Sequence, residues 1–211
     1  MKIKKSTMLY WIAAVLPFLI SAVFYTSVPE QIAVHWNANG TADGYSSKAF
    51  ALFGLPAMML AITILVNVML EIDPRKQNID RSPKMKRTAQ WFIVILANIL
   101  NLLIILYALN VKFNMSMAVI SIVGVGIALI GNYLPKCKFN YTMGIRVPWT
   151  LASEDNWRKT HRMAGPVWVV GGILIVFSGL LNLLWMLYAA LVLLIFVPII
   201  YSYVLSVREN R

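Results

Sequence analysis

An all-α integral membrane protein, a six-transmembrane-helix bundle with both termini cytoplasmic, is the fold class the sequence predicts. Three observations carry it. The chain is 60% hydrophobic and 13% charged, whereas a soluble domain carries charge on roughly a quarter of its residues. The apolar residues gather into runs of bilayer-spanning length, and the basic residues gather into clusters between those runs. With 211 residues, six spans and their loops use nearly the whole chain, so a single membrane domain is expected.

The first run, 8–26, rises about 28 Å as a helix, close to the hydrocarbon thickness of a bilayer. Lys2, Lys4 and Lys5 precede it as they would in a secretory leader. The run is longer than a leader's apolar region, however, and Thr26-Ser27-Val28-Pro29 makes a poor cleavage site, so it is read as a retained anchor. Runs 50–70, 89–109 and 115–134 are each of spanning length and free of charge. No charged residue occurs from Met163 to Val207, a stretch that would rise about 68 Å as one helix, roughly twice the bilayer core. It must fold back once. A turn at Asn182 to Trp185 gives spans 163–182 and 186–207, with Trp185 and Tyr188 at the interfacial level that amphipathic aromatics favour. Pro17, Pro56 and Pro198 are expected to kink their helices.

Orientation follows from the 19 Lys and Arg residues. Three precede the first span, six lie between Glu71 and Thr88, six between Pro135 and Arg162, and Arg208 and Arg211 close the chain. Only Lys48 and Lys112 fall elsewhere. Both termini and the loops 71–88 and 135–162 are therefore placed inside, which puts every cluster on the cytoplasmic face. The stretch Asp73 to Lys86 reads as a solvated connector facing anionic lipid headgroups. The net charge of +11 does not indicate nucleic acid, because the cations alternate with apolar runs rather than lining a polar surface. Cys137 is the sole cysteine, so the chain can build neither an internal disulfide, a zinc-type ligand set nor a two-cysteine redox motif.

No Asp, Glu, Lys, Arg or His lies within a predicted span, which disfavours ion-coupled transport, since that chemistry needs an ionisable group at mid-depth. The polar residues there are Asn67, Asn98, Asn101 and Asn132, with Asn98 and Asn101 one turn apart. Interhelical hydrogen bonding, worth about 0.6 to 2 kcal/mol per contact, is their expected role. The alternative is that Asn98 and Asn101 line the path of a small permease or exporter of an amphipathic solute. Gly124 and Ala128 permit close helix packing, either within the chain or between copies.

The outside loop, 27–49, carries turn signals at Asn39-Gly40 and Asp43-Gly44, and the alternating piece Ile32 to Trp36 suggests a strand-like arm. His35 and Asp43 are too few for a metal site, and a hydrogen bond that holds the loop is expected between them. This segment reads as a recognition surface. In the inside loop, 135–162, Val147 precedes Pro148 and should be extended, while Ser153 should cap a helix whose first turn holds Glu154 and Asp155. That helix puts Trp157, His161, Ala164 and Trp168 along one face, with Arg158 and Arg162 on its neighbour, and lies at the interface before entering the fifth span. His161 has no evident nucleophile beside it, so no catalytic group, cofactor or metal site is expected.

Both segments resemble the SdpI family, the immunity proteins of the sporulation-delaying toxin system. The amino-terminal signature is Pro29-Glu30-Gln31-Ile32, His35-Trp36-Asn37, Gly40, Asp43 and Ser47-Lys48, with Pro56 in the next helix. The second is Gly131-Asn132, Asn140-Tyr141, Gly144-Ile145-Arg146, Pro148-Trp149-Thr150, Ser153-Glu154, Trp157 to Arg162 and Gly165. Val147 departs from the pattern, where threonine is expected; the hydroxyl is lost and the extended turn kept. The resemblance implies a multi-pass protein of the bacterial plasma membrane that confers resistance to a secreted, membrane-active toxin peptide. In the best-known system it also implies a receptor that holds a cytoplasmic transcriptional repressor at the membrane. On that basis His35, Trp36, Asn37, Gly40, Asp43 and Lys48 are expected to recognise toxin. Arg146, Pro148, Trp149, Thr150, Ser153, Glu154, Trp157, Lys159, Thr160, His161 and Arg162 are expected to form the cytoplasmic signalling or partner segment. Partners are thus the lipid bilayer, the toxin and the repressor, with no direct contact to nucleic acid.

Overall fold

The computed structural model describes residues 5–209; Lys2, Lys4 and Arg211 of the charge clusters lie outside the described residues. In chain order the elements are α1 (Lys5–Phe24), β1 (Gln31–Trp36), β2 (Ala42–Ser47), a π-helical turn (Phe50–Gly54), α2 (Leu55–Ile72), α3 (Lys76–Asp80), α4 (Pro83–Ala108), α5 (Met115–Tyr133), a 3₁₀ turn (Leu134–Lys136), α6 (Pro148–Ala152), α7 (Glu154–Leu181) and α8 (Leu184–Glu209). Among the described residues six helices are long and apolar enough to cross a membrane, namely α1, α2 with its π-turn, α4, α5 with its 3₁₀ turn, α7 and α8.

Two spans reach further than their apolar runs indicate. α4 begins at Pro83 rather than near residue 89, because proline is suited to a first helical turn and the charged residues after it are good helix formers. α7 begins at Glu154, so the interfacial helix and the fifth span are one unbroken element. The helical reversal falls where expected. Asn182 takes the left-handed conformation, φ 54°, at the C-cap of α7, a geometry asparagine tolerates, and Ser178 Oγ donates to Leu183 O at 2.8 Å.

By internal packing the chain forms two compact units, one of residues up to Asn67 with Gln90–Val119, the other of Val68–Ala89 with the chain from Ile120 onward. In the first unit, Pro17 removes an N–H from α1 and so orphans the carbonyl of Ala13, four residues back. Asn98 of α4 supplies the missing donor, with Nδ2 2.9 Å from Ala13 O. One turn on, Asn101 donates to Pro17 O at 3.2 Å and accepts from Ser21 Oγ at 3.1 Å. Asn67 of α2 donates to the Tyr10 hydroxyl at 2.8 Å and accepts from Gln90 Nε2 at 2.8 Å. The intramembrane amides therefore tie α1, α2 and α4 together. Pro56 instead follows a π-turn, in which Leu55 N–H reaches back five residues to Phe50 O. The apolar core of this unit lies under the hairpin, where Val28, Ile32, Ala51, Leu52, Ile104, Ile105 and Met115 are buried together.

In the second unit α7 and α8 pack as an antiparallel pair around Ile175, Ala190 and Leu194. α5 approaches α7 so closely that a Cβ on Gly172 would lie 2.5 Å from Ala128 N, and one on Gly124 would lie 2.7 Å from Val176 N. The small residues of α5 thus serve packing within the chain.

The connector 73–82 exposes Arg75, Lys76, Asp80 and Arg81 to solvent, as expected, but it is also built into the fold through its shorter side chains. Asp73 is only 6% exposed; its carboxylate accepts from Arg75 N (2.7 Å), Tyr141 N (2.9 Å) and Thr142 Oγ1 (2.6 Å). Asn78 Nδ2 donates to Phe139 O at 2.8 Å, and Ser82 Oγ accepts from Lys138 N at 3.0 Å. Ile79 is fully buried. A polar stretch looked solvated because short polar side chains bond backbone groups as readily as they bond water.

Candidate functional site

The candidate residues lie on two segments, one in each unit. In the first, β1 and β2 form an antiparallel hairpin pairing Gln31 with Ser47, Ala33 with Tyr45, His35 with Gly44 and Trp36 with Ala42, with a slip in register on either side of His35. Gly44 is thus a strand residue and not a turn, and a Cβ there would lie 2.9 Å from His35 Cβ. The turn is made by Asn37, whose Oδ1 accepts from Asn39 N (3.0 Å) and Thr41 N (3.1 Å) while its carbonyl accepts from Gly40 N (2.9 Å). Gly40 has φ +80°, and a Cβ on it would strike Asn114 Oδ1 at 2.5 Å. Asn114 also caps α5, accepting from Met117 N at 3.0 Å, and Ser116 Oγ donates to Asn37 O at 3.0 Å. The hairpin tip is therefore fastened to the α4–α5 connection.

Register slips turn side chains, and here His35 and Asp43 share the outer face. His35 Nδ1 lies 2.6 Å from Asp43 Oδ1, with the side chains 72% and 43% exposed. Tyr45 is exposed on the hairpin as well. Trp36 turns the other way, half-buried with its ring edge-on to Tyr107 at 5.2 Å. Its indole N–H is buried with no acceptor among the described residues. Lys48 closes the base: Nζ pairs with Glu30 Oε1 at 2.7 Å and lies 4.7 Å from the Tyr25 ring centroid. The Glu30 carboxylate holds the Lys48 ammonium above its ordinary range. Of the residues expected to recognise a ligand, His35 and Asp43 present their side chains outward, while Trp36, Asn37, Gly40 and Lys48 hold the hairpin in place.

In the second unit, residues 137–147 form a compact loop around Asn140. Its Oδ1 accepts from Thr142 N (2.9 Å) and Met143 N (2.6 Å), and its Nδ2 donates to Lys138 O (2.8 Å). Gly144, φ +105°, brings the chain against α7. There His161 Nε2 accepts from Ile145 N at 2.9 Å, and Nδ1 donates to Trp157 O at 2.8 Å. Both ring nitrogens are therefore engaged with backbone, which fixes the tautomer. Trp157 stacks on that imidazole at 4.0 Å between centroids and donates Nε1–H to Cys137 O at 2.9 Å. Burial pushes the Cys137 thiol up to about 11.

Val147 is extended, as the following Pro148 requires, and its N–H donates to Thr150 Oγ1 at 3.1 Å. Pro148 opens α6, a short helix that the sequence reading did not separate from the extended turn. Trp149 Nε1 donates to Ser202 Oγ at 2.6 Å, and Asn156 Nδ2 to Ser202 O at 2.9 Å, so α6 and α7 both close onto α8. Ser153 Oγ caps α7 by accepting from Asn156 N at 3.1 Å. Thr160 Oγ1 donates to Asn156 Oδ1 at 3.0 Å. Thr150, Trp157, Thr160 and His161 are buried. Arg146, Pro148, Glu154, Lys159 and Arg162 are exposed, so any partner of this segment meets those five first. Asp73, Asn78, Asn140 and Ser202, which hold the segment in shape, were not singled out from the sequence for this role; their signal is an isolated polar residue beside buried apolar ones, which many solvated loops share.

Residues 136–202 match the model of the SdpI/YfhL protein family, and residues 12–60 match a domain of unknown function, DUF1648. The hairpin lies within one match and the His161 segment within the other. The chain is similar to the immunity protein SdpI of Bacillus subtilis (strain 168), with 32% identity over 171 residues, 81% of this chain and 80% of that protein. No solved structure matches.

Proposed function

The chain belongs to the SdpI/YfhL family, and from that membership we propose that it protects its cell against a secreted, membrane-active toxin peptide. It is a multi-pass membrane protein and not an enzyme. The observation that carries the reading is likeness to an immunity protein across four-fifths of the chain, supported by an ordered hairpin with His35, Asp43 and Tyr45 on its exposed face. In this reading both termini face the cytoplasm of a bacterial plasma membrane, since that orientation puts the basic clusters inside. The hairpin then faces outward and meets toxin through His35 and Asp43. Toxin binding favours one packing of the protein by differential affinity. Arg146, Glu154 and Lys159 in turn offer a cytoplasmic transcriptional repressor its contact.

Asn98 and Asn101, on which a permease reading would rest, have their amide nitrogens engaged by Ala13 and Pro17 carbonyls. A toxin-sensitive bacterial strain expressing the protein should survive the sporulation-delaying toxin peptide where the empty vector does not. Equal killing, with the protein present in the membrane, contradicts the proposal.

A further inference from the structure

We infer that one end of the second unit is a binding surface for anionic phospholipid headgroups, carried by Lys84, Arg87, Lys136, Arg162 and Arg208. The inference is independent of toxin resistance and rests on how charge is distributed at that end.

Four helix ends meet there. The start of α7 packs on the end of α8 through Asn156 Nδ2 and Ser202 O. The end of α5 packs on α7 where a Cβ on Gly165 would lie 2.4 Å from Pro135 Cγ. The start of α4 follows Ser82, whose Oγ accepts from Lys138 N. At each end an exposed cation borders the apolar run. Arg162 directly precedes the charge-free stretch from Met163, Arg208 directly follows Val207, Lys136 closes the 3₁₀ turn after α5, and Lys84 and Arg87 open α4.

Among the residues whose side chains are described, the acidic ones at this end are already engaged. Glu71 pairs with Lys76 and Lys86, Asp80 with Lys86, Glu154 with Arg75, and Asp155 with Arg158 and Lys159. Asp73 is consumed by backbone amides and Thr142. Arg75, Lys76, Arg158 and Lys159, which stand further from the apolar runs, are thus neutralised within the protein. The five cations at the membrane edge have no carboxylate within ion-pair distance among the described residues. Arg81, Lys138 and Arg146, which are also exposed without a carboxylate partner among the described residues, lie on the connecting segments, where an acidic soluble partner would meet them. A lipid phosphate sits at the depth of the five edge cations, where long basic side chains extend from an apolar stem to the headgroup. The opposite end of the α7–α8 pair, at Asn182 to Leu184, carries no charge at all, so the attraction is confined to one leaflet.

The test is native mass spectrometry of the full-length protein with phosphatidylglycerol and phosphatidylcholine of matched acyl chains. Phosphatidylglycerol should be retained preferentially, with a preference that falls as ionic strength rises and drops about five-fold for each cation removed in Lys136→Gln and Arg162→Gln. Lys136→Arg should keep it. Equal retention of the two lipids, or an unchanged preference in both glutamine variants, overturns the inference. Displacement of the lipid by millimolar inorganic phosphate would instead mark a free-phosphate site. Capture of soluble polyglutamate without any lipid preference would mark a protein-binding face. If the glutamine variants do not fold, a salt-independent preference in the unmodified protein overturns it equally.

Discussion

A methyl group built on Gly144 would lie 2.4 Å from His161 Nε2, the atom that accepts the neighbouring Ile145 amide. The conformation of Gly144, φ +105°, is one that residues with a side chain rarely adopt. Gly144→Ala should therefore combine strain with displacement of the imidazole and destabilise the protein by about 2 kcal/mol or more. His161→Ala, which leaves the Ile145 N–H buried and unpaired, should cost about 1 to 3 kcal/mol. Thermal unfolding in detergent checks both; an unshifted transition in either would show that the loop is held by other contacts.

The pairing of Asn98 with the carbonyl orphaned by Pro17 makes a coupled prediction. Asn98→Leu should cost about 0.6 to 2 kcal/mol. In a Pro17→Ala background Ala13 O regains a helical donor, so the same change should cost less. A double-mutant cycle on unfolding free energy measures the difference, and strict additivity would contradict the assignment.

Cys137 ought to be chemically quiet. With its thiol held by burial at about 11 against an ordinary 9.0, little thiolate exists at pH 7.5 and burial blocks the remainder. A water-soluble maleimide should label the folded protein slowly and the unfolded protein fast, as read by mass shift. The folded state binds the proton more tightly, so stability should fall as pH rises between about 9 and 11.

Most of the helical architecture was legible in the sequence, because charge-free runs of spanning length leave few alternatives. The helix turn at Asn182 and the Ser153 cap were legible for the same local reasons that make them work. β2 was not: Ala42-Asp43-Gly44-Tyr45-Ser46-Ser47 has weak strand propensity, and its pairing is imposed by the Asn37 turn and the anchorage at Asn114 and Ser116. The buried role of Asp73 was equally hidden, since it depends on Tyr141 and Thr142, nearly seventy residues away. At the candidate site, the His35–Asp43 contact could be read from the hairpin signals. Helical spacing separated the face of Trp157 and His161 from that of Arg162, but that Thr150 and Thr160 face inward could not be read without the fold of the 137–147 loop.

In the proposed reading the hairpin separates recognition from scaffolding. The His35–Asp43 pair is largely exposed, so His35→Ala should change stability by less than about 1 kcal/mol. Gly40→Val, which meets Asn114 and a left-handed backbone, should lower the amount of folded protein.

The most direct measurement of the central claim is survival of a toxin-sensitive strain in sporulation-delaying toxin peptide, comparing the unmodified protein, His35→Ala and an empty vector at matched membrane abundance. The account predicts survival with the unmodified protein and killing with both the variant and the vector. Killing with the unmodified protein would contradict toxin immunity; survival with His35→Ala would contradict recognition through the hairpin.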